Sequence, residues 1–278
     1  MHRGVILLIV AASAALAAQQ PEPATVSRIG DYVERYYARA QSIVADETVV
    51  VQPLSRDLGF DGFPRTLRYE LRIEWNPAAE TEDETATLVR RLISATGPRL
   101  GPPGQPDCLD PRGVSPEPLA FLLPDRRSKF RFTMAGTTSL EGRRAIRVDY
   151  RSLKPEPPEV TWEGECGKID LPGRVRGRVW ADPVTFEILR FDESLMGQVE
   201  LPGPPKPSPG AARSFTLERA DTTTVYKRVA FADPDEVLLL PARVESVTVI
   251  RNSGVPRLRV TQQLSNYRRF VTASRILP

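Results

Sequence analysis

Histidine is all but missing from this chain. The 278 residues contain one, His2. It falls in a leader segment discussed below, so the processed chain has no imidazole for a Ser or Cys triad, a zinc site or proton transfer near neutral pH. Most hydrolase and metalloenzyme chemistry is excluded with it. Lysine is scarce as well: Lys129, Lys154, Lys168, Lys206 and Lys227 are the full set, and none completes a Ser-x-x-Lys motif. Ser-Lys acyl transfer thus loses its sequence support. The two signs of charge nearly balance, with 38 basic against 35 acidic residues, so the composition makes no electrostatic case for nucleic acid. After the N-terminus no apolar run approaches the ~20 residues that a membrane helix needs. Cysteine is limited to Cys108 and Cys166.

What is present begins with a compartment signal. His2 and Arg3 form a small basic region, Val5 to Leu16 is apolar and Ala-rich, and Ala15-Leu16-Ala17 has the small-x-small cleavage pattern of a secretory signal peptide. The apolar run is short for an uncleaved anchor, and no Cys follows it to carry a lipid. The expected organisation is a signal peptide over 1–17 and one β-rich domain over 18–278, periplasmic or secreted after cleavage near Ala17. Two cysteines in Pro/Gly-rich connections of an exported chain are expected to form a Cys108–Cys166 disulfide of structural role. On the chain-entropy model such a long closed loop is worth about 4 kcal/mol.

Thr25 reads as the N-cap of a helix running to about Ala45, with Val26, Ile29, Val33, Tyr36, Tyr37, Ala40, Ile43 and Val44 at helical spacing. That stripe is a packing face. Thr48 to Leu54 reads as the first strand, and Thr66 to Trp75 alternates cleanly, with Leu67, Tyr69, Leu71, Ile73 and Trp75 on one side and Arg68, Glu70, Arg72 and Glu74 on the other. Thr85 to Thr96 fits either a strand or a short helix. The acidic stretch Glu80-Thr81-Glu82-Asp83-Glu84 lacks the Gly and spacing of a calcium loop and reads as a solvated surface loop, and Asp233-Pro234-Asp235-Glu236 reads as a turn. Pro98 to Pro124 is a long Pro/Gly-dense connection in which Ser115-Pro116-Glu117-Pro118 signals a short apolar helix, Leu119 to Leu123. Its apolar side chains make it a candidate plug or lid.

Strands then follow at Lys129 to Ala135 and Arg144 to Ser152, with a turn near Glu141-Gly142. Next comes a hairpin over Gly173 to Leu195, placed at the middle of the sheet. Its expected turn is Asp182 to Thr185, which sets Ala181 opposite Phe186. One face then carries Val175, Gly177, Val179, Phe186 and Ile188, and the other Arg176, Arg178, Trp180, Leu189 and Phe191. Phe215 to Leu217, Thr222 to Phe231, Ala242 to Arg251 and Arg257 to Phe270 complete about ten strands. Hairpin-length links make the sheet antiparallel. Tyr69, Trp75, Trp162, Trp180, Phe191 and Tyr267 fit either an apolar cavity lining or plain core. Trp180, alternating with Arg176 and Arg178, has the least need to be core.

One leading helix, a run of antiparallel strands, an apolar plug segment and the hairpin Trp180-x-Asp182-Pro183-x-Thr185, preceded by Arg178-Val179 and followed by Leu189-Arg190, resemble the periplasmic lipoprotein-carrier and lipoprotein-sorting superfamily. The Leu240-Pro241-Ala242-Arg243-Val244 strand start and the Arg257 to Phe270 strand look like the sheet edge of secreted relatives. The resemblance implies an α+β, mainly antiparallel fold: a curved, unclosed half-barrel with an N-terminal and a short internal helix, whose concave side holds acyl chains. The expected protein is a non-enzymatic monomer without cofactor or metal, binding a lipid, acyl chain or lipidated partner and touching the cell envelope peripherally. Trp180, Leu119, Phe121, Leu122, Tyr69 and Trp75 are the expected cavity residues. The alternative is an envelope interaction module whose cavity is filled by its own side chains.

Overall fold

The computed structural model describes residues 23–40, 42–75, 86–99, 117–163, 166–203, 214–252 and 257–269. The leader, the acidic stretch 80–84 and Cys108 lie outside the described residues. One helix, α1 (Ala24–Arg39), precedes strands β1 (Ile43–Leu54), β2 (Arg65–Trp75) and β3 (Ala86–Thr96). A 3-10 segment (Glu117–Leu122) and the single turn α2 (Pro124–Arg127) lead into β4 (Phe130–Leu140) and β5 (Arg143–Ser152). Then come β6 (Glu159–Glu163), β7 (Cys166–Asp170), β8 (Val175–Ala181), β9 (Ile188–Leu195), β10 (Val199–Pro202), β11 (Ser214–Ala232), β12 (Asp235–Arg251) and β13 (Arg257–Arg269).

Ten strands run edge to edge in the order β3-β2-β1-β13-β12-β11-β9-β8-β5-β4, with β10 added against β11. Every pairing is antiparallel, and the sheet does not close. β6 and β7 form a separate hairpin whose Val160, Trp162 and Ile169 pack on Leu195, Leu201, Phe215 and Leu217. The middle of the sheet is the long β11–β12 hairpin rather than β8–β9, which lies toward the β4 edge. β11 is one strand of 19 residues where two were expected, because a bulge between Leu217 and Arg219 lets the ladder continue through the intervening residues.

The helix differs from its sequence reading at both ends. It starts at Ala24 after an extended Pro23, with no side-chain cap, so Thr25 is inside it. It stops at Arg39, and Ser42 at φ 54° turns the chain into β1. Ile43 and Val44, which fit the helical spacing, instead pair with both β2 and β13. Two ladders satisfy more backbone groups there than another helical turn would. The remainder of the stripe is as read: Val26, Ile29, Val33, Tyr36 and Tyr37 are buried. They pack on Val148 and Tyr150 of β5, Val179 and Ala181 of β8, Ile188 and Phe191 of β9, and Leu238 and Leu240 of β12. This helix-covered side is the inner face. Along β2, Leu67, Tyr69, Leu71 and Ile73 are buried, as the alternation required.

The β8–β9 turn is longer than expected. Asp182 Oδ1 accepts hydrogen bonds from the N–H groups of Val184 and Thr185 at 2.9 and 3.0 Å. The Asp182 N–H donates to the Glu187 carbonyl at 2.9 Å. This turn consumes residues 182–187, so Ala181 pairs with Ile188 and Phe186 sits outside the ladder at φ 61°. A bulge at Trp180/Ala181 then puts Phe191 opposite Val179, on the inner face. Phe191 thus lies on the opposite face from the one its spacing predicts, because an extra residue flips every side chain after it.

Candidate ligand-binding face and its internal occupant

The 3-10 segment reaches the inner face through its own side chains. Leu119, Ala120, Phe121 and Leu122 are all buried within the main core. α1 lets it in at Gly30, where an added Cβ would lie 2.6 Å from the Leu122 carbonyl oxygen. Arg127 Nη1 fastens the following turn by donating to the Val26 carbonyl at 3.3 Å. Phe121 enters a cage of rings: Tyr150 at 4.3 Å between centroids, Phe130 at 5.3 Å, Phe191 at 5.5 Å and Phe132 at 6.2 Å. Phe130 and Phe132 are only partly buried, and Met134, next along β4, is exposed, so the apolar floor runs along the free edge strand of the sheet.

Beneath this cage a polar pair is sunk into the same face. The Tyr150 hydroxyl donates to Glu193 Oε2 at 3.0 Å. Room for the Tyr150 ring comes from Gly177, directly across from both Tyr150 and Glu193, where a Cβ would meet the Asp192 carbonyl oxygen at 2.0 Å and the Tyr150 hydroxyl at 2.6 Å. Burial pushes the Glu193 carboxyl up, and the tyrosine hydrogen bond only partly offsets it. Burial, with the Glu193 charge behind it, drives the Tyr150 phenol far above its ordinary range. A carboxyl whose charge is disfavoured suits an apolar surrounding rather than a charged ligand.

A second buried polar group lies on the β1–β2–β13 half. Glu47 Oε2 takes a hydrogen bond from Arg90 Nε at 2.9 Å, and Oε1 takes one from Gln262 Nε2 at 2.8 Å. Arg90 also lies over the Tyr69 ring, 3.9 Å from its centroid. Around it Val49, Val51, Leu67, Leu258 and Val260 form their own buried cluster.

The structure brings together only part of the expected cavity set. Leu119, Phe121 and Leu122 share the main core. Tyr69 is in the β1–β2–β13 cluster, and Trp180 faces the outer side with Ala145, Leu189 and Leu239. Of Trp75 only the backbone, paired with Ala86, is described. Cys166 likewise contributes only its backbone, paired with Glu163. Two of the four rings around Phe121 are legible in Phe130-Arg131-Phe132, a one-on, one-off alternation that puts both phenylalanines on one face. Among the described residues no group of three or more His, Cys, Asp or Glu is placed to hold a metal ion. No described helix is long and apolar enough to cross a membrane.

No protein-family model and no curated protein matches the chain. Among solved structures it is similar to a LolA superfamily protein of Nitrosomonas europaea, at 9% identity and a TM-score of 0.37, over 91% of this chain and 94% of that one. It is similar to a putative outer membrane lipoprotein-sorting protein domain of Vibrio parahaemolyticus, at 10% identity and a TM-score of 0.43, over 90% and 94% of the two chains. A DUF1329 family protein of Desulfovibrio piger gives 10% identity and a TM-score of 0.40, over 90% and 94%.

Proposed function

We propose that this chain is an exported, non-enzymatic protein of the cell envelope that binds a lipid, an acyl chain or a lipidated partner on the inner face of its unclosed sheet. The supporting observation is Phe121. A single ring on a 3-10 segment of six residues occupies an aromatic cage built by β4, β5 and β9, as a ligand would. The segment contributes no rung to the sheet, so burial of its side chains holds it. Burying one Leu or Phe is worth about 1.5 to 3 kcal/mol, and a hydrocarbon chain of similar apolar area supplies as much. Displacement of Phe121 by such a chain is then near balance, which is what a carrier needs in order to load and release. The leader pattern and the missing imidazole support export and the absence of hydrolytic chemistry.

One observation favours the second reading, a self-filled interaction module. Val33, Leu119 and Leu122 are 0 to 1% exposed, so this half of the inner face is closed by the chain's own side chains. Native mass spectrometry of protein purified from its own envelope separates the two. A co-purifying lipid mass that Phe121→Trp reduces supports the binder; protein free of added mass, before and after incubation with fatty acid, supports the module.

A further inference from the structure

The outer face of the β4–β5–β8–β9 region carries a groove of about 490 Å³ whose charge the rest of the molecule does not balance. Arg131, Arg151 and Arg176 stand directly opposite one another on three consecutive strands. Neighbouring strands are about 4.8 Å apart, so three exposed guanidinium groups start within roughly 10 Å. Like charges directly opposite across a sheet are destabilising.

Elsewhere the sheet avoids this. An acid two residues from an arginine on the same strand neutralises it, as in Glu70/Arg72 at 3.1 Å, Arg147/Asp149 at 3.4 Å, Arg190/Asp192 at 2.8 Å and Arg243/Glu245 at 2.8 Å. In the groove, Arg131 has Lys129 and Thr133 two residues away and Arg176 has Arg174 and Arg178, while Asp149, two residues before Arg151, is turned to Arg147 and Arg178 instead. The two carboxylates that line the groove are engaged: Asp149 faces Arg147 and Arg178, and Asp192 takes both its bonds from Arg190. Among the described residues none forms an ion pair with Arg131, Arg151 or Arg176.

We propose that this outer groove binds a phosphate monoester. Guanidinium forks match phosphate oxygens bidentately, and a monoester brings about two negative charges where a carboxylate brings one. The hydroxyl-bearing side chains of Thr133 and Ser194 line the same groove and add neutral hydrogen-bonding groups. The site is on the face opposite Phe121 and does not depend on the inner-face reading.

The test titrates the full processed chain with glycerol 3-phosphate, and separately sediments it with phosphatidylcholine vesicles with and without phosphatidic acid. The variant is R131Q/R151Q/R176Q, and R56Q/R68Q/R257Q removes the same charge elsewhere. The groove variant weakens monoester binding at least about tenfold while the control stays within about twofold of the parent. Its melting temperature does not fall, because repulsion is relieved. Sedimentation that needs phosphatidic acid, is lost in the groove variant and is competed by glycerol 3-phosphate assigns the monoester to a lipid headgroup. Saturable glycerol 3-phosphate binding without sedimentation assigns it to a soluble molecule. The proposal is overturned if the parent binds neither probe or if the two triple variants weaken equally.

Discussion

Replacing Glu47 tests whether the inner face is as dry as the structure has it. Its carboxylate is fully buried, bonded to Arg90 and Gln262, on a strand with ladders on both sides. Glu47→Ala removes one charge of the pair and takes from Arg90 and Gln262 the carboxylate they bond, a change that costs about 3 to 5 kcal/mol in buried pairs. Arg90 belongs to the edge strand β3 and its side chain is 13% exposed, so it can turn partly to water. That sets the expected loss near the low end, about 3 kcal/mol. Urea unfolding, followed by tryptophan fluorescence and circular dichroism with coincident transitions, measures it.

The pH dependence adds a sign. Burial raises the Glu47 carboxyl, with the Arg90 charge and the Gln262 and Arg90 hydrogen bonds pulling the other way. The folded chain therefore holds this proton to higher pH than the unfolded chain, whose value is near ~4.3. Stability from this group is fully present below that value and is lost as pH rises through the folded one. The advantage of the parent over Glu47→Gln accordingly shrinks from pH ~4 toward neutrality. A Glu47→Ala loss under about 1 kcal/mol, or an advantage over Glu47→Gln that grows with pH, refutes the reasoning.

Gly177→Ala should cost about 3 kcal/mol, the upper end for overpacking, since the added Cβ meets the Asp192 backbone as well as Tyr150; a neutral result in the same assay means Tyr150 is not seated across from it. For Asp182, burial works to raise the carboxyl, but the N–H groups of Thr185 and Val184 and the Arg143 charge outweigh it and hold it below the usual range. Asp182→Ala should therefore cost about 1 kcal/mol above pH ~4, a difference that vanishes as pH falls through the lowered folded value; a difference that persists in acid points to packing instead. Peptide mapping without reductant should find Cys108 joined to Cys166, with Cys108→Ser less stable by up to about 4 kcal/mol; two free thiols remove the bond.

Much of the fold is legible where a single period governs. The β2 alternation and the α1 stripe up to Ala40 predict burial because each faces one neighbour throughout. Legibility ends where one residue changes the count. The Asp182 side chain builds a longer turn than Pro183 suggests, and with the Trp180/Ala181 bulge this moved Phe191 to the other face. Ile43 and Val44 satisfy a helical period and a strand alike, and only the partners β2 and β13 decide. Of the expected cavity residues, the plug set was readable from Pro118 and Pro124 bracketing an apolar run. Tyr69 and Trp180 share only their aromatic character with that set, and residue type carries no register, so they fall in separate clusters. The arginine row lies in three separate strands and becomes visible only through their pairing.

The most direct measurement of the central claim is the affinity of the parent and Phe121→Ala for a fluorescent fatty acid, with unfolding free energy measured on the same samples. If Phe121 occupies a ligand's place, removing its ring opens the cage of Tyr150, Phe130, Phe191 and Phe132, and affinity rises at least about tenfold. The stability cost should stay near or below the ~3 kcal/mol at the low end for a buried Phe, because the short segment can resettle. A variant that loses about 5 kcal/mol and binds no probe makes Phe121 ordinary core and contradicts the binding reading.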